Sequence, residues 1–442
     1  MQGVKRTIGN LLLTLVTLAA PSLLLAQASE HKGDTSETIR LPAAGDTLVL
    51  TMIEARIAFL QRSPAALAVR YHLSSSEADL VAAGLYPNPQ LSVNASSIDI
   101  AHKPVDYSLT QTSYRLDQPL DVFGKRGKRV AMAEHSVGSA RADFANALFQ
   151  MTCDLKEAFL SAAFAQRQVG LARDRLALFQ RTLETSGLRF KAGDIAEAEL
   201  TKLRLAELDY RQGESDASQG LEDALSALRQ MLFLPPTAVV RAKYSFKPEL
   251  THPDGDSMAA MAVERRTDLA AQRERTLMQQ SRIDLAHRSS WPDVSLGVEL
   301  DRQGPAWKNL VGGGVSLSLP LFTRNQDEIQ RSEAEYEAAV LDQHAKENAV
   351  ANGVHAAYEK FHTSYMIFST LSDTTLRSAA EVRAAAARSY GQGNIGLVDF
   401  LETERIYNDA VNSYLNALSK FAVNQVELER AVGTPLFEGE RQ

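Results

Sequence analysis

Residues 133–155 read AEHSVGSARADFANALFQMTCDL, and the apolar positions Ala133, Val137, Ala140, Phe144, Ala147, Met151 and Leu155 advance in steps of four and three. That rhythm lays one apolar stripe along a helix and predicts a coiled-coil seam. No proline interrupts residues 124–186, so one helix roughly 95 Å long is expected at about 1.5 Å per residue. Residues 324–389 are also free of proline and repeat the rhythm through Val354, Tyr358, Phe361, Tyr365 and Phe368. Many seam residues are alanine, which lets neighbouring helices approach closely.

Working outward, shorter helices are expected at 64–84 and 195–232, and again at 267–289 and 397–431. Each pair nearly matches a long helix in total length, which predicts a cylinder wall of long helices alternating with stacked pairs. The plan recurs because the chain is duplicated. Pro87, Pro119, Gly193 and Pro235 have counterparts in Pro292, Pro320, Gly393 and Pro435 at offsets of 200 to 205 residues, and four landmarks in one order argue for a repeat. The expected segments are a signal peptide at 1–28, a first repeat at 29–233, a Pro-rich linker at 234–266, a second repeat at 267–433 and a tail at 434–442.

Each repeat also holds a strand pair. Val294, Leu296, Val298 and Leu300 alternate with Ser295, Gly297, Glu299 and Asp301, and Val311, Val315, Leu317 and Leu319 do so on the returning strand. Leu91, Val93 and Ala95, with Tyr114 and Leu116, give a weaker version in the first half. Strands of about ten residues can cross a bilayer in a tilted barrel; the same alternation also suits a soluble sheet. If the strands lie in lipid, four cannot close a barrel, and open edges are not tolerated there. Chains would then have to share one barrel.

The composition narrows the function. A net charge of −7 argues against nucleic-acid binding, and the single Cys153 excludes an intramolecular disulfide and any cysteine-based zinc site. Lys5 and Arg6, an apolar stretch around Leu11–Ala20, Pro21 and then Ala26-Gln27-Ala28 read as a secretory signal cut after Ala28. Beyond it no apolar run is long enough for a transmembrane helix. No phosphate-binding loop, zinc-protease motif or nucleophile elbow occurs, so no catalytic residue, cofactor or metal site is assigned. His355 and His362 lack the companions of a ligand set, Met258 and Met261 suit packing, and Cys153 reads as a small buried residue.

Together these residues resemble the TolC-like outer membrane efflux proteins. The resemblance is carried by Ala83-Gly84-Leu85-Tyr86-Pro87-Asn88-Pro89-Gln90-Leu91, Gln118-Pro119-Leu120 with Gly124-Lys125-Arg126, Arg265-Arg266-Thr267-Asp268-Leu269, Leu319-Pro320-Leu321-Phe322 and the run from Tyr390 to Glu402. The Pro-Asn-Pro and Gly-Lys-Arg forms look most like the branch paired with cobalt-zinc-cadmium and copper-silver exporters. The implied fold is mainly α with a β-barrel portion: a long coiled-coil tunnel, four transmembrane strands per chain and a twelve-stranded barrel shared by a homotrimer. The implied location is the outer membrane of a Gram-negative bacterium, in contact with its lipid, with a periplasmic helical domain. The implied role is the passive exit duct of a tripartite system, with a periplasmic adaptor and an inner-membrane RND-type proton-driven pump. Its solutes would be heavy-metal cations or, alternatively, drugs and other small molecules.

The resemblance also implies a gate at the periplasmic tip: Asp399 and Glu402 in an acidic ring, with Tyr390 and its acidic partner Glu199 holding the closed end. Arg189, Gly193, Asp194, Gly393 and Asn394 match adaptor-contacting tips. Two positions depart from the family pattern. Thr267 stands where proline is usual and is expected to cap a helix, and Ile395 replaces a basic residue after the second turn. A rival reading, a periplasmic coiled-coil adaptor, would need one helical hairpin inside β-rich domains, whereas two hairpins here alternate with two strand pairs.

Overall fold

The computed structural model describes residues 47–96, 111–245, 255–303, 308–371 and 373–437. The expected signal peptide, part of the 234–266 linker and the end of the 434–442 tail lie outside the described residues. In chain order the elements are β1 (Thr47–Leu50), α1 (Met52–Arg62), α2 (Pro64–Gly84), β2 (Gln90–Ser96), β3 (Gln111–Leu120), α3 (Lys125–Ala192), α4 (Glu197–Met231), β4 (Val239–Ala242), α5 (Gly255–Arg265), α6 (Thr267–Ser289), β5 (Val294–Gln303), β6 (Lys308–Leu317), α7 (Gln326–Thr370), α8 (Asp373–Gly391) and α9 (Leu397–Val432).

Helix α3 is the spine. Its 68 residues span about 100 Å. Near its start Arg126 reaches the Gly84 carbonyl of α2, and farther on Arg173 and Gln180 pair with Glu214 and Glu207 of α4 at 3.0 Å each. On another flank Lys128, His135 and Asp143 meet Asp284, Glu274 and Arg275 of α6. Lys156 then pairs with Glu429, and Asp154 and Glu157 with Arg430, all on α9. Thus α2 and α4 succeed one another along α3, as do α6 and α9.

The first-repeat spine is unbroken, but the second is not. The expected helix over 324–389 divides into α7 and α8, with Leu371 leaving the helical region at φ −83°, ψ 67°. Ser369 and Thr370 turn their hydroxyls back onto the Met366 carbonyl, and such side chains compete with the backbone for its own hydrogen bonds. Thr267 also differs from expectation. It occupies the first turn of α6 while Arg266 holds the N-cap position without a side-chain cap. Arg266 instead clamps Asp268 at 2.9 and 3.0 Å and reaches the Ala431 carbonyl.

The helix starts below the strands share one device. Asp121 accepts from the backbone of Lys125 and Arg126 at 2.8 Å each, and Gly124 adopts φ 71°. In the second repeat Asn325 takes the corresponding left-handed conformation at φ 60°, which asparagine tolerates better than most side chains. Lys125 crosses to Asp293 at 2.8 Å and Phe123 packs on Trp291 at 5.0 Å, joining the two repeats beside the sheet.

That sheet is antiparallel in the order β2-β3-β5-β6. Leu91, Leu116 and Val298 stand in register, as do Val93, Tyr114 and Leu300, so an apolar band crosses one face. Leu91 is 69% and Val311 76% exposed. The opposite face carries Arg115 bridging Asp117 and Glu299 above Gly297, where any side chain would collide with the Asp117 carboxylate. A second, parallel pair, β1 with β4, ties the start of the first repeat to the linker and was not legible from pattern.

The main core lies where α5 packs on α7 and α9. Met258, Leu269, Val354, Phe361, Phe421 and Val432 are buried there, and Phe421 stacks on Phe368 at 5.5 Å. Beside it, the buried Glu429 takes Lys156 at 2.8 Å and accepts the backbone N–H groups of Leu436 and Phe437 at 2.9 and 3.1 Å. Glu429→Leu deprives Lys156 of this carboxylate, and a loss of about 3–5 kcal/mol is expected in urea unfolding followed by circular dichroism; a change within error would show the pair to be idle. Burial pushes the Cys153 thiol up to about 11, so at pH 8 the folded chain should resist iodoacetamide and react only on unfolding.

Candidate functional site at the hairpin ends

Two helical hairpins end in matching turns. After α3, Gly193 adopts φ 85° and donates to the Phe190 carbonyl at 3.0 Å, while Asp194 donates to Arg189 at 2.9 Å. After α8, Gly393 adopts φ 77° and donates to Tyr390 at 3.0 Å, while Asn394 donates to Ser389 at 2.8 Å. Both are glycine-terminated helix ends in which the left-handed residue lets the last carbonyls be satisfied.

Between the turns sits a small aromatic core. Phe179, Leu203, Tyr390, Leu397 and Phe400 are buried together, with Ile395 and Tyr210 packed against them. Tyr390 stacks on Phe400 at 4.9 Å, and Phe179 stacks on Tyr210 at 4.5 Å. Stacked rings bury large apolar area and add a geometric preference to it. Ile395, where a basic residue is the family pattern, contributes an apolar contact to this core.

The structure brings Tyr390 and Glu199 together: the phenol donates to Glu199 Oε1 at 2.9 Å. Burial, joined by the nearby Glu199 carboxylate, raises the Tyr390 pKa against the opposing Ser186 contact, so the hydroxyl keeps its proton and remains a donor. Arg189 crosses from the first hairpin to the second, donating Nη1 to the Tyr390 carbonyl at 2.7 Å with its guanidinium 5.4 Å from the ring centre. A side chain at 393 would meet that guanidinium at 3.3 Å. Gly193, Asp194, Gly393 and Asn394 remain exposed at the ends.

Asp399 and Glu402 are both exposed on the first turns of α9. They are not equivalent. Glu402 is bound by Arg405 at 2.6 and 2.9 Å, and Arg405 continues to Asp409 at 2.9 Å. Those hydrogen bonds hold the Glu402 carboxyl below the usual range. Asp399 makes no ion pair among the described residues. No group of three metal-ligating side chains occurs among the described residues; His362 stacks on Tyr358 at 6.1 Å and Met258 is buried in the main core.

Reading the sequence missed the inward reach of Arg189 and the ring core of Phe179, Tyr210 and Phe400. Heptad spacing flags an apolar seam but does not say which hairpin lies across it.

The outer membrane efflux protein family model matches twice, over residues 58–232 and 259–434. The cobalt-zinc-cadmium resistance protein CzcC of Cupriavidus metallidurans is 23% identical over 363 residues, 82% of this chain and 84% of that one. The nickel and cobalt resistance protein CnrC of the same organism is 25% identical over 274 residues, 61% of this chain and 63% of that one. Among solved structures, CusC superposes with a TM-score of 0.74 at 16% identity, covering 90% of this chain and 96% of the other.

Tyr390→Phe removes one hydrogen bond between the hairpins. Loss of about 1.4 kcal/mol should raise amide exchange around residues 386–402 about tenfold; unchanged exchange would show that the Tyr390–Glu199 bond does not hold the junction.

Proposed function

Since the chain belongs to the outer membrane efflux protein family, with the fold of outer membrane channels rather than of enzymes, we propose that it is the exit duct of a tripartite efflux system. It lies in the outer membrane with its helices in the periplasm. In this reading three copies share one barrel, a periplasmic adaptor docks at the hairpin ends, and an inner-membrane proton-driven RND-type pump supplies the solute.

The observation that carries the proposal is the sheet. Its outermost strands, β2 and β6, have no partner on their free edges within the described chain, and its apolar face is exposed. In lipid such edges must be paired, because no water is present to satisfy them. Three four-stranded sheets give twelve strands, enough to enclose a conduit rather than a filled core. The polar face with Arg115, Asp117 and Glu299 then lines the interior, and Leu116, Val298 and Leu300 face lipid.

Heavy-metal cations are the proposed solutes. The support is the likeness to CzcC and CnrC, both named as metal-resistance proteins, together with acidic residues at the tips. Asp399 and Glu402 from three chains would gather carboxylates around one axis, raising the local cation concentration. Tyr390 with Glu199 closes this end, Arg189 strengthens the junction from inside, and the exposed Gly193, Asp194, Gly393 and Asn394 are the surface offered to the adaptor.

Purified full-length protein should run as a heat-sensitive trimer and conduct ions in planar bilayers; a monomer that never conducts would refute the duct. Asp399→Asn with Glu402→Gln should weaken block by divalent cations about tenfold, as expected when a charged site that concentrates cations is neutralised. Because hydrogen bonds from Arg405 lower the Glu402 pKa, the share of block due to Glu402 should persist as pH falls through about 4.3, where an ordinary glutamate loses its charge.

A further inference from the structure

We propose that a buried polar cluster between the hairpins, one helical turn along α9 from the aromatic core, is a second latch of the duct, in which Glu404 favours closure and Arg175 opposes it. The inference rests on reading the hairpin ends as a gate, but involves none of the residues assigned to it.

Glu404 on α9 is 3% exposed. Arg383 of α8, in the same hairpin, donates Nε to it at 2.9 Å and lies 4.9 Å over the Tyr407 ring. The first hairpin enters through Tyr210 of α4, whose hydroxyl lies 3.4 Å from the Glu404 carboxylate and accepts from Asn408 Nδ2 at 3.2 Å. Burial and the adjacent carboxylate push the Tyr210 phenol up to about 12, so it retains the proton this contact uses. A buried carboxylate bound from both hairpins is a joint that cannot part without exposing charge to a new environment.

Arg175 of α3 faces the same cluster. Its Nη1 donates to Asn412 at 3.1 Å, at the solvent edge, whereas Nε and Nη2 are buried with no hydrogen-bond partner among the described residues. Burial and the like charge of Arg383 lower its pKa, while Tyr407, Tyr210 and Glu404 act the other way. Unsatisfied buried donors are costly, so the closed arrangement carries a standing penalty here. Beside them runs an open cleft of about 890 Å³, lined in part by Arg175, Tyr210, Asn408 and Asn412. Parting the hairpins would admit water from that cleft to both N–H groups. The two halves of the cluster therefore act with opposite sign on one equilibrium.

The test compares full-length wild type, Tyr210→Phe, Glu404→Gln and Arg175→Met in planar bilayers, with amide exchange of α4 and α9 in detergent as a second measurement that needs no conducting channel. Tyr210→Phe, which removes one oxygen, should raise the open-time fraction about fivefold, the equivalent of one ordinary hydrogen bond. Glu404→Gln should do the same or more. Arg175→Met should lower the open fraction and slow exchange. Shifts in one direction for all three variants, or an unaltered Tyr210→Phe protein in both measurements, would overturn the latch while leaving a conducting wild type as a duct. A wild type that never conducts would instead overturn the duct and the latch with it.

Discussion

The backbone groups along the free edges of β2 and β6 govern everything else in this protein. A four-stranded antiparallel sheet with one apolar face and two open edges is unstable as a solitary object in either water or lipid. The chain does not close its own sheet, because four strands are too few to form a barrel in lipid. In the proposed duct, copies of the chain pair along these edges. Duplication supplies the geometry: two strand pairs and two hairpins in one chain make a unit that can repeat around an axis.

The helices convert that requirement into a wall. Helix α3 meets α2 and then α4 on one flank, α6 and then α9 on another, and each contact is fixed by ion pairs at defined heights. Exposed pairs of this kind add little stability individually, but they set register. Stability is concentrated lower down the ladder, in the ring-filled core of α5, α7 and α9 and in the Lys156–Glu429 joint that also anchors the chain after α9. The small aromatic core at the hairpin ends is a separate island. The hairpins are joined there by this core, the Tyr390–Glu199 hydrogen bond and the reach of Arg189.

Charge near the ends follows the same economy. Glu402 is compensated by Arg405 on its own helix, and Glu404, two residues on, is compensated by Arg383 across the hairpin. One carboxylate is in water and the other is enclosed, so neighbouring acids on α9 do different work. A helix turns about 100° per residue, and that rotation alone separates a surface charge from a buried joint.

Periodicity, duplication and the proline map determined the helices, the strand pairs, their order and the positions of the hairpin turns, because these depend on neighbours in sequence. The contact of Tyr390 with Glu199 was legible only through family resemblance; nothing in either stretch alone points across 191 residues. Leu371 reads as helix because no proline interrupts residues 324–389, yet its backbone leaves the helical region and divides α7 from α8. The parallel β1–β4 pair, the inward Arg189 and the Glu404 cluster were decided by tertiary structure. Each joins segments whose partners are chosen by how whole helices pack, and packing at that range leaves no periodic mark on the chain.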